Sequence, residues 1–287
     1  MKPVVTRRVN RVRLPSVLPA GAFSAAGHRS RADRVCRGAD WNLDPRLRAL
    51  KVLVIIPTYN ERENLPVLTQ QVLAHDGFHV MVVDDQSPDG TGQIADELAQ
   101  RYPGRVDVLH RTGKRGLGRS YIDALQIARA GDADLICQMD ADLSHDPKYL
   151  PEMVAEAAKG ADLVIGSRYL HGVSVVNWPL RRLVLSAFAN NYIRTVTRMP
   201  VKDCTSGFRC WRRDALQRIP LHRIVSDGYA FLVEMLYEAY RRGCRIGEVP
   251  IIFVERRVGQ SKMSKSVILE SAYMPWRMVL RGLRAKD

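Results

Sequence analysis

The sequence predicts an α/β protein built on a doubly wound, mainly parallel sheet. From Lys51 onward, short apolar runs alternate with longer segments whose apolar residues recur at helical spacing. Such alternation requires parallel crossovers, which place helices on both faces of one sheet. Polar and acidic residues follow several of the apolar runs. Because ligands of such sheets bind beyond the carboxyl ends of the strands, these loops are where a functional site is expected.

The predicted elements follow in order along the chain. Five buried strands are expected from short apolar runs at Lys51–Ile56, His79–Val83, Val106–Leu109, Asp134–Met139 and Asp162–Ile165. Helices of suitable length and spacing lie between them, at Asn64–Ala74, Thr91–Arg101, Leu117–Ala130 and Pro147–Lys159. The less regular second half predicts helices at Trp178–Thr197, Tyr229–Arg242 and Ser264–Arg284, and strands at Gly207–Trp211 and Arg245–Val254.

Charge divides the chain into three parts. Residues 1–50 carry ten Arg and one Lys against three Asp without a periodic pattern, which predicts a basic disordered tail; a transit peptide and a misassigned start codon are the alternatives. Residues 51–263 form the predicted globular domain, and residues 264–287 a basic amphipathic helix that faces a membrane or packs on its own domain. Because the net charge of +14 is concentrated at the two ends, nucleic acid is not an expected partner.

Two loops at the ends of the first strands carry candidate binding residues. The first is Pro57–Glu61, and the second begins with the adjacent acids Asp84 and Asp85. Adjacent carboxylates at a strand end can accept hydrogen bonds from a ribose or a base edge, and Tyr59 can pack on a base. For either loop alone, the competing interpretation is a turn followed by a helix cap.

The loop after the fourth strand indicates a metal site. Asp140 and Asp142 stand two residues apart, and carboxylates at that spacing can share one hard divalent cation such as Mg²⁺ or Mn²⁺. Such a cation would neutralise a departing diphosphate. His145 follows closely and is expected to be a solvated loop residue rather than a ligand.

These motifs resemble those of the inverting family-two glycosyltransferases with the Rossmann-like GT-A fold, and among them the polyprenol-phosphate (dolichyl-phosphate) mannose synthases. The resemblance covers Lys51 to about Gly282, with residues 51–263 as the catalytic domain. It rests on Pro57–Asn64 (PTYNEREN), Asp84–Thr91 (DDQSPDGT), Gly116–Tyr121 (GLGRSY), Asp140–His145 (DADLSH), Gly166–Tyr169 (GSRY), Asp203–Arg209 (DCTSGFR), Gly247–Pro250 (GEVP) and Arg256–Lys262 (RRVGQSK).

The resemblance assigns roles to individual positions. It implies that guanosine is held by Pro57, Tyr59, Glu61, Val83 and Asp85, and that Asp140, Ala141 and Asp142 flank the diphosphate and the metal. It makes Asp142 the first choice as direct ligand, with Ser144 where some members place a Gln. It implies that Arg168, Arg256 and Lys262 face the phosphates, and that Arg168, Arg181 and Arg182 grip the acceptor phosphate. Asp203 is expected nearby, in a structural or a catalytic role.

The implied reaction is transfer of mannose from GDP-mannose to polyprenyl (dolichyl) phosphate with inversion. A phosphate monoester is largely anionic at neutral pH, so no dedicated base is expected. No apolar run reaches eighteen residues, which predicts a cytoplasmic enzyme on the membrane surface, and relatives suggest a membrane-anchoring partner protein. The alternatives are transfer of glucose or N-acetylglucosamine from a UDP-sugar and, remotely, an inactive basic RNA- or membrane-binding protein.

Overall fold

The computed structural model describes residues 47, 49–113, 116–254 and 273–281. The predicted basic tail, apart from its last few residues, lies outside the described residues. So do Arg256, Lys262 and most of the predicted C-terminal helix.

The alternation of strands and helices is as the sequence predicts. The strands in the described part of the chain are β1 (Val52–Thr58), β2 (Phe78–Asp84), β3 (Val106–His110), β4 (Leu135–Gln138), β5 (Leu163–Ser167), β6 (Val175–Val176), β7 (Arg209–Arg212), β8 (Ile246–Pro250) and β9 (Phe253–Val254). The helices are α1 (Asn64–Leu73), α2 (Thr91–Arg101), α3 (Leu117–Ala130), α4 (Leu150–Ala158), α5 (Leu180–Thr197), α6 (Arg213–Gln217) and α7 (Gly228–Arg241), and residues 273–281 are also helical.

Seven strands form one sheet in the order β3-β2-β1-β4-β7-β5-β8. Every pairing in it is parallel except those of β7, which runs antiparallel to both β4 and β5. The predicted mainly parallel sheet is therefore confirmed. The single strand predicted at Arg245–Val254 was wrong, because the chain leaves the sheet after Pro250 and pairs again as β9 with β6 in a separate two-stranded sheet.

The core lies on both faces of the sheet because successive residues of a strand point to opposite sides. In β1, Leu53 and Ile55 pack with residues of α3 and α7, whereas Val54 and Ile56 pack with residues of α1 and α4. Helices thus cover both faces, and the strand ends carry the polar loops. None of the helices among the described residues has the length and apolarity needed to cross a membrane.

Candidate active site

Four parallel strands deliver polar residues to one edge of the sheet. Tyr59, Asp85, Asp140 and Arg168 follow the carboxyl ends of β1, β2, β4 and β5. Because parallel strands end at the same edge, the structure brings together the loops that the sequence singles out. The DCTSGFR segment joins them from the opposite direction, since β7 is antiparallel and begins where β4 and β5 end.

The loops after β1 and β2 are tied to each other. The backbone N–H of Asn60 donates to Ser87 Oγ at 3.2 Å, and that of Glu61 donates to Thr91 Oγ1 at 3.0 Å. Tyr59 is 42% exposed beside these contacts. Glu61 Oε2 accepts from Asn64 Nδ2 at 2.8 Å, at the start of α1.

Two of the residues predicted to hold guanosine, Val83 and Asp85, are buried. The side chain of Val83 is fully buried in the core, so it does not line an open surface. Asp85 is also buried, and its carboxylate accepts from the guanidinium of Arg111 and, at 2.9 Å, from the backbone N–H of Gly116. The arrangement holds the Asp85 carboxylate in a fixed orientation at the end of β2.

Sequence reasoning missed Arg111. This buried arginine follows β3 directly and donates through Nε to Asp123 Oδ2 at 2.8 Å as well as through Nη1 to Asp85. Its place immediately after a strand was the available signal, because Asp85 stands at the equivalent position after β2.

Asp140 and Asp142 lie together after β4, with both side chains partly exposed. The Tyr121 hydroxyl lies 3.4 Å from Asp140 Oδ1, and the backbone N–H of Ser144 donates to Asp142 Oδ1 at 3.1 Å. Burial, followed by the charge of Asp140, raises the pKa of Tyr121 well above its ordinary value. Tyr121 therefore remains a neutral phenol that can donate a hydrogen bond to Asp140.

His145 is not the solvated loop residue that the sequence predicts. It is 2% exposed, and its ring stacks on Phe208 with the ring centroids 5.0 Å apart. The backbone N–H of Asp140 donates to its Nδ1 at 3.2 Å, and burial lowers its pKa, against the opposing charges of Asp140 and Asp142. His145 is therefore a neutral, buried side chain that holds the backbone of the Asp140 loop by a hydrogen bond.

The two carboxylates fit a hard divalent cation. No group of three or more His, Cys, Asp or Glu side chains suited to a metal occurs among the described residues, so Asp140 and Asp142 would supply part of a coordination sphere. Gly207 leaves space beside Asp140, since a Cβ there would lie 3.5 Å from Asp140 Oδ1. The buried Ser144 Oγ has no hydrogen-bond partner within the described structure. Oxygen donors from water and a bound diphosphate are typical of the remaining positions.

Arg168 forms a second buried charge pair in the site, with Asp203. Its Nε and Nη2 each lie 2.7 Å from one oxygen of Asp203, and its backbone N–H donates to the same carboxylate at 3.0 Å. Burial alone would raise the pKa of Asp203, but the charge and hydrogen bonds of Arg168 lower it below its ordinary value. Asp203, which is fully buried, thus fixes the orientation of Arg168.

Aromatic rings connect Arg168 with α5. The Arg168 guanidinium carbon lies 5.6 Å from the ring centroids of both Trp178 and Phe253, and that of Arg182 lies 4.3 Å from the Trp178 centroid. The structure therefore brings Arg168 and Arg182 to one indole ring. Arg181, in contrast, is exposed.

A Rossmann-like sheet with a DxD loop at the end of a central strand defines the class of glycosyltransferases with the GT-A fold. The family model described as "Glycosyl transferase family 2" matches residues 53–220, and the chain belongs to that family. Two relatives agree with the resemblance. The chain is 46% identical to a polyprenol monophosphomannose synthase of Mycolicibacterium smegmatis, over 81% of this chain and 88% of the relative. It is 45% identical to an undecaprenyl-phosphate mannosyltransferase of Micrococcus luteus, over 83% and 99%.

A solved structure shows the same fold. Glucosyl-3-phosphoglycerate synthase from Mycobacterium tuberculosis, in complex with Mn²⁺, uridine diphosphate and glucosyl-3-phosphoglycerate, matches with a TM-score of 0.58 at 17% identity, covering 82% of this chain and 80% of that one. The predicted GT-A fold and the resemblance to polyprenol-phosphate mannose synthases are both confirmed.

Proposed function

We propose that the protein transfers mannose from GDP-mannose to polyprenyl phosphate and releases GDP, inverting the donor linkage to give polyprenyl β-D-mannosyl phosphate. The observation that carries the proposal is the identity of 45–46% with two named polyprenol-phosphate mannosyltransferases across more than four-fifths of the chain. In this chain the DAD loop stands at the carboxyl end of β4, where that chemistry needs it.

The donor binds across the ends of β1, β2 and β4. The exposed ring of Tyr59 packs on guanine, and the fixed carboxylate of Asp85 accepts hydrogen bonds from the nucleoside. Asp140 and Asp142 would hold Mg²⁺ or Mn²⁺, as the neighbouring fold holds Mn²⁺ with a nucleoside diphosphate. The ion, when bound, offsets the negative charge of the departing diphosphate. Tyr121 and His145 keep Asp140 in place for this task.

The acceptor phosphate binds near Trp178. Asp203 already compensates the charge of Arg168, so this pair mainly gives the site a fixed shape. Arg182 adds positive charge at the same indole ring. We also assign Arg256 and Lys262, which follow β9 in the sequence, to phosphate binding.

The chemistry requires little proton transfer. The acceptor oxygen is already anionic because the second pKa of a phosphate monoester is about 6. The nearby His145 is neutral and accepts a backbone hydrogen bond at Nδ1, which fits a structural role rather than that of a general base. Catalysis then consists of aligning the phosphate with the anomeric carbon and stabilising the leaving GDP.

The product is a membrane lipid, so the enzyme acts on the cytoplasmic membrane surface, directly or through a membrane-anchoring partner. The alternative function differs from this proposal only in the sugar donor, because a UDP-sugar could be used with the same acceptor. The distinction rests on the nucleoside end of the site, around Tyr59 and Asp85.

The test is transfer of radiolabelled sugar to polyprenyl phosphate in detergent, with Mg²⁺, with Mn²⁺ and with EDTA. GDP-mannose should give labelled lipid with the wild type, and Asp142→Asn should abolish the product because it removes the charge that holds the cation. Glu97→Gln, which removes an exposed carboxylate on α2, should retain wild-type activity. Transfer from UDP-glucose or UDP-N-acetylglucosamine, and none from GDP-mannose, would overturn the donor assignment.

A further inference from the structure

Helical residues 273–281 present two different faces. Met274 and Met278 are 4% and 2% exposed and belong to the core that α3 and α7 share. Tyr273, Trp276 and Leu280 point the other way and are 62%, 53% and 57% exposed. The two alternatives for this helix, packing on its own domain and facing a membrane, are therefore compatible, because each uses a different face.

Arg281 anchors this segment to α7. Its guanidinium pairs with Glu234 and lies 3.7 Å from an oxygen of Glu238. Glu234 is 1% exposed and also accepts from the backbone N–H groups of Val225, at 3.1 Å, and Ser226, at 3.0 Å. The outer face of the segment is thus held at a fixed position on the domain.

A basic cleft lies beside that anchor. It encloses about 560 Å³ and is lined by four arginines and one glutamate: Arg223, Arg241, Arg242, Arg281 and Glu238. The five lining residues carry four positive formal charges against one negative, and two of the arginines, Arg242 and Arg281, form ion pairs with Glu238 and Glu234. The cleft is therefore complementary to an anion, and Arg281 connects it directly to the exposed Leu280 and Arg277.

We propose that this arginine cleft and the outer face of residues 273–281 together form a docking surface for anionic phospholipids at a bilayer. Arginines form bidentate hydrogen bonds with phosphate, and exposed Tyr and Trp side chains suit the headgroup region because their rings are apolar and their N–H and O–H groups are polar. The aliphatic side chain of Leu280 can insert among the acyl chains. The inference rests on the proposed function in one respect, namely that the acceptor substrate is a membrane lipid.

The surface is tested by co-sedimentation with vesicles of phosphatidylcholine alone or mixed with phosphatidylglycerol. The wild type should bind the mixed vesicles more tightly. Arg223→Gln/Arg241→Gln should weaken that binding about 30-fold, since each basic residue near an anionic surface contributes about a fivefold factor. Arg101→Gln/Lys159→Gln removes the same charge from exposed positions at the C-terminal ends of two other helices and should leave binding unchanged.

A second readout uses the exposed indole. The emission of Trp276 should shift to shorter wavelength with mixed vesicles, and Trp276→Phe should remove that shift. Equal weakening in both double variants, or equal binding to pure phosphatidylcholine, would refute the surface. So would binding of polyuridylate as tight as that of the mixed vesicles, because it would indicate a general polyanion site.

Mannosyl transfer in detergent separates this inference from the proposed function. The Arg223→Gln/Arg241→Gln variant should retain wild-type activity there, because neither arginine lies at the strand ends that carry the site. Loss of vesicle binding with intact transfer supports the docking surface. A wild type that binds the vesicles but transfers no mannose would refute the proposed function alone.

Discussion

The buried pair of Arg168 and Asp203 should contribute several kcal/mol to the free energy of unfolding. Asp203→Asn keeps the shape of the side chain but removes the charge that Arg168 Nε and Nη2 face at 2.7 Å. Because Arg168 is only 8% exposed, its guanidinium would remain uncompensated away from water. Breaking a buried pair in this way costs about 3–5 kcal/mol. In a domain of this size, that corresponds to a fall in Tm of roughly 6–20 °C.

Urea unfolding followed by tryptophan fluorescence would measure the effect. Asp132→Asn is the control, because that carboxylate is 81% exposed and pairs with an exposed lysine, Lys51. The control should unfold at the wild-type midpoint, and Asp203→Asn at a clearly lower one. An unchanged midpoint for Asp203→Asn would refute the argument that this pair stabilises the fold.

The difference should also depend on pH, in a direction set by the lowered pKa of Asp203. Burial raises that pKa, but Arg168 lowers it by more, so the folded-state pKa lies below its ordinary value. The pair therefore contributes its full stability above the unfolded-state pKa of about 3.9. The advantage of the wild type over Asp203→Asn should be constant near neutral pH and should shrink as the pH falls through the folded-state pKa.

Two further predictions concern the donor side. Gly116→Ala should lower the free energy of unfolding by more than about 1–3 kcal/mol, because φ is 150° and the new Cβ would lie 2.1 Å from Asp227 Oδ2. Gly104→Ala, at φ 73° with nothing within 4 Å, measures the backbone strain alone, and equal losses in urea unfolding would contradict the clash. Arg111→Met should raise KM for the proposed donor, GDP-mannose, more than it lowers kcat, because Asp85 loses its guanidinium partner and keeps only the backbone N–H of Gly116; steady-state kinetics that show an unchanged KM would contradict this role.

The fold could be predicted from local patterns because the first half repeats one simple unit. Each predicted strand there overlaps an observed one, and the helices Thr91–Arg101 and Leu117–Ala130 agree at both ends. The second half was harder, since β7 joins the sheet antiparallel and residues 245–254 divide into two strands. Periodicity identifies an element but does not specify its partner or direction.

The candidate site was predictable where a residue stands one or two positions after the end of a strand, as Asp85 and Asp140 do. It was not predictable where the contact joins distant parts of the chain. Arg111 meets Asp85 across 26 positions, and Asp203 meets Arg168 across 35. The burial of His145 depends on Phe208 and Phe253, which lie far from it in sequence. Such contacts are a property of tertiary packing, which one sequence does not display.

The position of β7 also affects how the chain matures. β7 is the second neighbour of β4 in the sheet, with Cys210 opposite Cys137 in the antiparallel register and both thiols free. β4 therefore acquires this neighbour only after synthesis has passed β7. Until then, an apolar strand presents unpaired N–H and C=O groups along one edge, which favours association with other nascent chains. The strand that leads to Asp140 and Asp142 is therefore protected along that edge only by a segment that is synthesised much later.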